Sequence, residues 1–217
     1  MNLRVDIVIF SLRDSAVQVL LTRRASQPFK GRMSLPGGRV SEGESLERTA
    51  LRELEELVGA GKTYLEQLYS FGEPRRDPRG RVVSVAYYAL IPGDRRVLAG
   101  RDGSAVWCSV DKLPPLAFDH AKILAYARDR LRNKLEYTTV GFQLLPRRFT
   151  LSELQRLYET ILGKKLDKRN FRKKMGLLGI LRPLRDWRHT GRKPARLYAF
   201  IPKRFEKLKD KGILFPF

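Results

Sequence analysis

Apolar positions open the chain as two short runs. Residues 3–10 read Leu-Arg-Val-Asp-Ile-Val-Ile-Phe and residues 16–22 read Ala-Val-Gln-Val-Leu-Leu-Thr. The polar Arg13, Asp14 and Ser15 between them predict a β-pair around a turn. A polar loop follows, then the turn-rich break Leu35-Pro36-Gly37-Gly38. From Ser45 to Val58 the period changes to that of a helix, with Leu46, Ala50, Leu51, Leu54, Leu57 and Val58 as its apolar positions and Gly59 as the residue that closes it. Strands are expected near 64–71, 80–91 and 104–109, and a helix from about Phe118 to about Lys134. Strands on both sides of one central helix, without regular alternation, predict a mixed α+β sandwich.

Past Tyr137 the texture differs. Thr150-Leu-Ser-Glu153 is a capping box that opens a helix through Leu162, with Leu154, Leu157, Tyr158 and Ile161 apolar and Gly163 as terminator. Asp167 then caps a helix from Lys168 to about Leu178, ended by Gly179. Residues 180–187 and 195–201 have strand character around the loop 189–194. Helix, short turn, helix and basic hairpin together predict a winged helix-turn-helix. The expected boundaries are 1–138 for the first domain and 139–217 for the second. There is no internal repeat.

Composition sharpens this division. At 217 residues, 42% hydrophobic and 10% aromatic, the chain can fill two cores. Its net charge is +21, which invites polyanions. Residues 141–217 hold 21 Lys and Arg against 6 Asp and Glu, whereas the first 140 residues hold 23 against 17. The excess therefore belongs to the C-terminal module. No apolar run approaches the roughly 18 residues of a spanning helix, and the start has no basic segment ahead of a long apolar one, so neither a membrane anchor nor a signal peptide is expected. Cys108 is alone, which excludes an internal disulfide and fits a cytoplasmic location. His120 and His189 are too isolated to suggest zinc.

The helix at 45–58 belongs to a longer pattern. Gly38, Glu44, Arg52, Glu53, Leu54, Glu56 and Gly59 sit at the spacing of the motif G-x5-E-x7-R-E-U-x-E-E-x-G-U, where U is bulky and apolar. The segment resembles the Nudix box, and the resemblance implies an α/β/α Nudix sandwich with a mixed sheet that handles nucleoside diphosphates. Hydrolysis of a pyrophosphate needs a hard divalent cation, magnesium or manganese, held by oxygen ligands. Glu53 and Glu56 lie roughly 60° apart on the helix and share a face, whereas Glu55, at about 200° from Glu53, points away. Arg52, Glu53 and Glu56 are the candidate catalytic residues, with Glu44, Glu53 and Glu56 as candidate metal ligands. The family's further carboxylate is here Leu57, and Ala60 is smaller than the motif's last position prefers. Leu57 either leaves a weak metal site or widens the core stripe of Leu51, Leu54 and Val58. If it leaves a weak site, turnover should be poor and Leu57→Glu should restore it.

The second module points to DNA. Phe171, Met175 and Leu178 form one stripe of the 168–178 helix; Lys168, Arg169, Arg172 and Lys173 occupy the rest, with Asn170 among them. Arg reads guanine bidentately and Asn reads adenine, while the cations supply phosphate contacts. Arg192, Lys193 and Arg196 in the hairpin are placed to track the adjacent backbone. Further stretches, Pro28–Gly31, Tyr64–Tyr69, Arg76–Arg81, Leu116–His120, Phe149–Leu154 and Lys168–Arg172, are similar to the Nudix-related transcriptional regulators of bacterial NAD metabolism, the NrtR type. That resemblance implies a dimeric regulator of double-stranded DNA whose Nudix domain binds ADP-ribose or a related nucleotide or sugar. The effector is expected against Gly37, Gly38, Arg75, Arg76, Arg79 and Arg81. Two other readings remain open: a magnesium-dependent hydrolase of ADP-ribose or another nucleoside diphosphate, and an RNA-end-processing hydrolase.

Overall fold

The computed structural model of the chain describes residues 2–98, 104–189 and 194–209. They divide into two units, one formed by the chain up to Arg13 with Val17–Arg130, the other by Asp14–Ala16 with the chain from Leu131 onward. The strands of the first unit are β1 (Asn2–Arg13), β2 (Ala16–Arg23), β3 (Met33–Ser34), β4 (Gly37–Arg39), β5 (Tyr64–Phe71), β6 (Val82–Ile91) and β7 (Ala105–Ser109). Its helices are α1 (Leu46–Val58) and α2 (His120–Leu135).

β1 and β2 meet at a two-residue turn in which Asp14 and Ser15 both take positive φ, the hand that suits strand twist. β1 also runs parallel to β6 along Asn2–Ser11, and β5 borders β6 antiparallel. The sheet is therefore mixed, ordered β3-β2-β1-β6-β5, with β4 on β1 and β7 on β2. Central β1 from Val5 to Ser11 and nearly all of β6 are buried because both their faces are covered. On one face, Val5, Ile7, Ile9, Leu20, Val85, Tyr87, Ala89 and Ile91 pack with Ala50, Leu54, Leu57 and Val58 of α1. On the other, α2 reaches Asp6 of β1 through His120 and Glu66 of β5 through Arg130, and buries Ile123, Leu124 and Ala127. This is the expected α/β/α sandwich.

The second unit contains β8 (Phe149–Thr150), α3 (Leu151–Leu162), α4 (Lys168–Leu178), the hairpin β9 (Leu181–His189) and β10 (Pro194–Phe200), and α5 (Pro202–Lys209). β10 lies between β8 and β9. The capping box closes as expected: Glu153 N donates to Thr150 Oγ1 at 3.2 Å and Thr150 N to Glu153 Oε2 at 2.7 Å. Gly163 and Gly179 end their helices in left-handed conformation. Leu154, Leu157, Tyr158, Ile161, Phe171 and Met175 form the core between α3 and α4.

Four features depart from the sequence expectation. The supposed loop and break at 24–38 contain β3 and β4; strands of two or three residues are too short to show a period. α2 begins at His120, because Phe118 takes a positive φ of 54° that no helix accommodates. β8, of two residues, is hidden for the same reason, and the eight-residue helix α5 is not among the expected elements either. A 3-10 turn at Val140–Leu144 also precedes β8 and buries Phe142, whose ring stacks on Phe200 at 4.2 Å.

Candidate functional site

α1 starts from Ser45, whose hydroxyl accepts from Arg48 N at 3.2 Å. One turn on, Arg52 joins two carboxylates. Its Nε and Nη2 donate to the two oxygens of Glu44 at 3.0 and 3.1 Å, and its Nη1 donates to Glu53 Oε1 at 2.6 Å. The Arg52 hydrogen bonds hold the Glu44 carboxyl at about 2, well below the usual range. The Glu53 carboxylate lies over the Cα of Gly38, a space that a Cβ would fill. Glu56 is half-buried and Glu55 exposed, as the helical angles require. Leu57 does not face a metal site: it is 7% exposed and sits in the core beside Leu54 and Val58. Among the described residues no group of three His, Cys, Asp or Glu side chains is arranged to hold a metal ion. Two of the three expected ligands, Glu44 and Glu53, are engaged by Arg52, so the residues do not fit a tightly held cation.

The other face of the sheet carries a cleft. Asp6 points there from the middle of β1, between the core residues Val5 and Ile7. A buried carboxylate must be paired. Ser84 Oγ donates to Asp6 Oδ2 at 2.6 Å and Arg76 Nη2 donates to the same oxygen at 3.3 Å. Arg76 also clamps Asp119 bidentately, at 2.9 and 2.7 Å. His120 Nδ1 accepts from Leu35 N at 2.9 Å, so the neutral imidazole carries its proton on Nε2, which faces Asp6 Oδ1 at 3.7 Å. Burial alone would raise the Asp6 carboxyl; the imidazole, Ser84 and Arg76 outweigh it and hold the group below its ordinary value. Burial pushes His120 down, and the carboxylates of Asp6 and Asp119 only partly oppose it.

Two adjoining hollows open above this network, sharing Arg76 and Phe118. The larger, about 700 Å³, is lined by Phe29, Arg75, Arg76, Phe118, Asp119 and Lys122 among others. The smaller, about 180 Å³, is lined by Arg4, Arg24, Arg76, Arg79, Phe118 and His120 among others. Phe29 and Phe118 both take positive φ and meet edge to face at 5.0 Å. Arg24 and Arg79 lie over the Phe118 ring at 4.7 and 5.6 Å. Such strained aromatic residues persist only where the surroundings enforce them. Arg24 is pushed down by burial and then by the neighbouring charges of Arg79 and Arg4. The cleft thus gathers more positive charge than it neutralises and suits a phosphorylated, aromatic-bearing ligand.

Of the residues singled out from sequence, Arg75, Arg76, Arg79 and Gly37 line these hollows. Gly38 instead meets Glu53, and the exposed Arg81 lines neither. Sequence reasoning missed Arg4, Asp6, Arg24, Phe29, Phe118, Asp119 and His120. A signal existed for Asp6, a lone carboxylate inside an apolar strand.

In the second unit, Phe171 and Met175 anchor α4 while Lys168, Arg169, Asn170, Arg172 and Lys173 stand exposed. The α3–α4 turn is tied by Glu159, which accepts from Leu166 N at 2.9 Å, and by Asp167, which accepts from Asn170 N at 2.7 Å. Arg196 is exposed on β10, opposite Trp187. Arg192 and Lys193 lie outside the described residues.

Comparison with known proteins covers both units. Residues 2–127 match the NUDIX domain and residues 141–200 match the NrtR DNA-binding winged helix domain. The ADPR responsive transcriptional repressor NtrR of Acinetobacter baylyi is 39% identical over 98% of this chain and 84% of its own length. An ADP-ribose pyrophosphatase of Methanocaldococcus jannaschii is 39% identical over 49% of this chain and 63% of its own length. The crystal structure of Shewanella oneidensis NrtR complexed with a 27mer DNA superposes with a TM-score of 0.82, at 35% identity, over 99% of this chain and 97% of that one. With a Nudix sandwich followed by this winged helix, and a repressor of the same kind matching nearly end to end, the chain belongs to the NrtR family of Nudix-related transcriptional regulators.

Proposed function

We propose that the protein is a ligand-responsive regulator that binds operator DNA through α4 and the β9–β10 hairpin, and ADP-ribose or a related nucleotide in the cleft around Phe118. The observation that carries the effector reading is the gathering of Arg4, Arg24, Arg76 and Arg79 at one cleft against only two carboxylates, Asp6 and Asp77, which Arg76 and Arg79 already engage. A diphosphate supplies the balancing negative charge, and Phe29 and Phe118 offer faces to a base or ribose. For DNA, the exposed cations and Asn170 of α4 form a recognition surface, with Arg169 and Arg172 set for guanine and Arg196 for the backbone. Two half-sites are needed for useful specificity, so the working form is a homodimer acting in the cytoplasm.

The second reading, hydrolysis, is favoured by Arg52 and Glu53 of α1 standing together with Glu44 of the loop that leads into it. Magnesium or manganese would bind weakly, since Arg52 competes for both carboxylates. The two readings separate in one calorimetric series, in which ADP-ribose is titrated into the full chain with and without magnesium. Binding that needs no metal, leaves the nucleotide intact and weakens about tenfold or more on Arg79→Ala supports the sensor. Rapid metal-dependent cleavage lost on Glu53→Gln would put the enzyme first.

A further inference from the structure

β5 ends the sheet of the first unit, and an aromatic cluster there is open to solvent. Tyr69 of β5 is 55% exposed and Tyr126 of α2 39%, and their rings stack at 5.1 Å. The half-buried Phe71 meets both edge to face, at 5.6 and 6.2 Å. A register shift after Gln67 sets Tyr69 opposite Ala86 and Phe71 opposite Ser84, on the side of the sheet that α2 covers. The cluster is held from beneath. Arg130 lies over Tyr126 at 6.0 Å and donates to Glu66 at 3.3 Å and to the carbonyl of Leu68 at 3.5 Å. Glu66 also accepts from Tyr64 and, at 3.1 Å, from the buried Tyr88. The cation at the patch is thus already neutralised, and the rings are positioned before anything covers them.

α2 continues the patch. Its buried side is Ile123, Leu124 and Ala127, so at about 100° per residue Lys122, Ala125, Tyr126 and Asp129 share the outward face, and all four are exposed. Exposed apolar surface with a polar border marks a contact site, and aromatic rings are its usual anchors. A polyanion would need an excess of cations here, and the stripe has one cation and one carboxylate. A chain of net charge +21 meets its own copy most readily through a face of this kind, which adds no repulsion. The stripe is also self-complementary. Two copies of α2 laid antiparallel, about a twofold axis between Ala125 and Tyr126, set the small Ala125 against the partner's Tyr126 and Lys122 against the partner's Asp129. We propose that this face of β5 and α2 is the centre of an interface between two copies of the chain, with Tyr126 as its anchor. A specific interface buries about 800 Å² per partner, so the stripe and the rings form its core and the surrounding surface its rim. This names the face for the homodimer reading above and rests on it.

Sedimentation equilibrium of the full chain tests it. The parent should be a dimer. Tyr126→Arg, which sets two cations near each other at the axis, should weaken that dimer at least about tenfold while the far-ultraviolet circular dichroism stays that of the parent. The pairing of Lys122 with Asp129 supplies a test that a folding defect does not imitate. Lys122→Asp and Asp129→Lys should each weaken the dimer about fivefold, and the double exchange should restore it. A dimer untouched by Tyr126→Arg, or a double exchange no better than either single one, would overturn the inference and leave the homodimer standing on another face. A parent that stays monomeric, with and without a duplex enriched from a random pool by the protein itself, brings down the homodimer reading and this face together. Loss of duplex affinity on Tyr126→Ala in such a monomer would make DNA the occupant instead.

Discussion

Asp6 and His120 show what one buried pair demands. The imidazole faces a carboxylate at 3.7 Å on one side and accepts a backbone N–H on the other, so it must stay neutral to keep Leu35 in place. Its folded pKa lies below the ordinary value of 6.5. In the unfolded chain it takes up a proton as pH falls through that value, while the folded chain resists until lower pH. The contribution to stability is therefore complete above about pH 6.5 and is lost as pH drops below it. His120→Asn keeps an acceptor for Leu35 and removes the titration. Urea midpoints measured between pH 5 and 8 should fall toward acid in the parent and stay flatter in the variant; equal slopes would place the titrating group elsewhere. Leu57 requires a different revision. Because its side chain is buried among Ala50, Leu54 and Val58, Leu57→Glu first removes a packed leucine and buries a carboxylate. We expect a loss of about 2–4 kcal/mol in urea unfolding, ahead of any gain in metal binding. Unchanged stability would mean that the position turns outward and is free to bind a cation.

At the level of elements, the legible parts were those with a period or a cap. α1, α3 and α4 announce themselves through Ser45, Thr150 and Asp167 at one end and Gly59, Gly163 and Gly179 at the other. β4 does not, yet it positions both chemistries. Its three residues pair Arg39, Gly38 and Gly37 with Arg4, Val5 and Asp6 of β1. The two glycines are required for different reasons. A Cβ on Gly37 would run into the carbonyl oxygen of Val5, which is backbone and cannot move aside, whereas one on Gly38 meets only the end of the Glu53 side chain. Gly37→Ala should therefore cost several kcal/mol, about 2 or more, and Gly38→Ala under about 1 while displacing Glu53. Chemical denaturation ranks the two, and a reversed order would mean that β4 does not pair as described. The cleft was hidden from sequence for a related reason. Asp6 finds Arg76 at seventy residues' distance and Asp119 joins through the same guanidinium. Neither separation has a local signature, and only the parallel β1–β6 register brings Ser84 to Asp6.

Across the whole molecule the net charge of +21 sets the difficulty of proving any effector. A dianionic nucleotide will adhere to a chain so basic through screened attraction alone, and such adhesion falls with salt without informing the DNA-binding surface. A regulatory effector obeys a stricter rule. If ADP-ribose in the cleft changes the affinity of the winged helix for its duplex by some factor, the duplex must change the affinity for ADP-ribose by that same factor. Titrating ADP-ribose with and without saturating duplex, at fixed salt, should give dissociation constants that differ by roughly 5–150-fold, and the converse titration should return the same ratio. Arg79→Ala should weaken the nucleotide while leaving the duplex affinity of the free protein intact, because Arg79 belongs to the cleft. Equal constants with and without duplex would identify the nucleotide as a passenger on a basic surface, and the regulatory reading would fail even with both ligands bound.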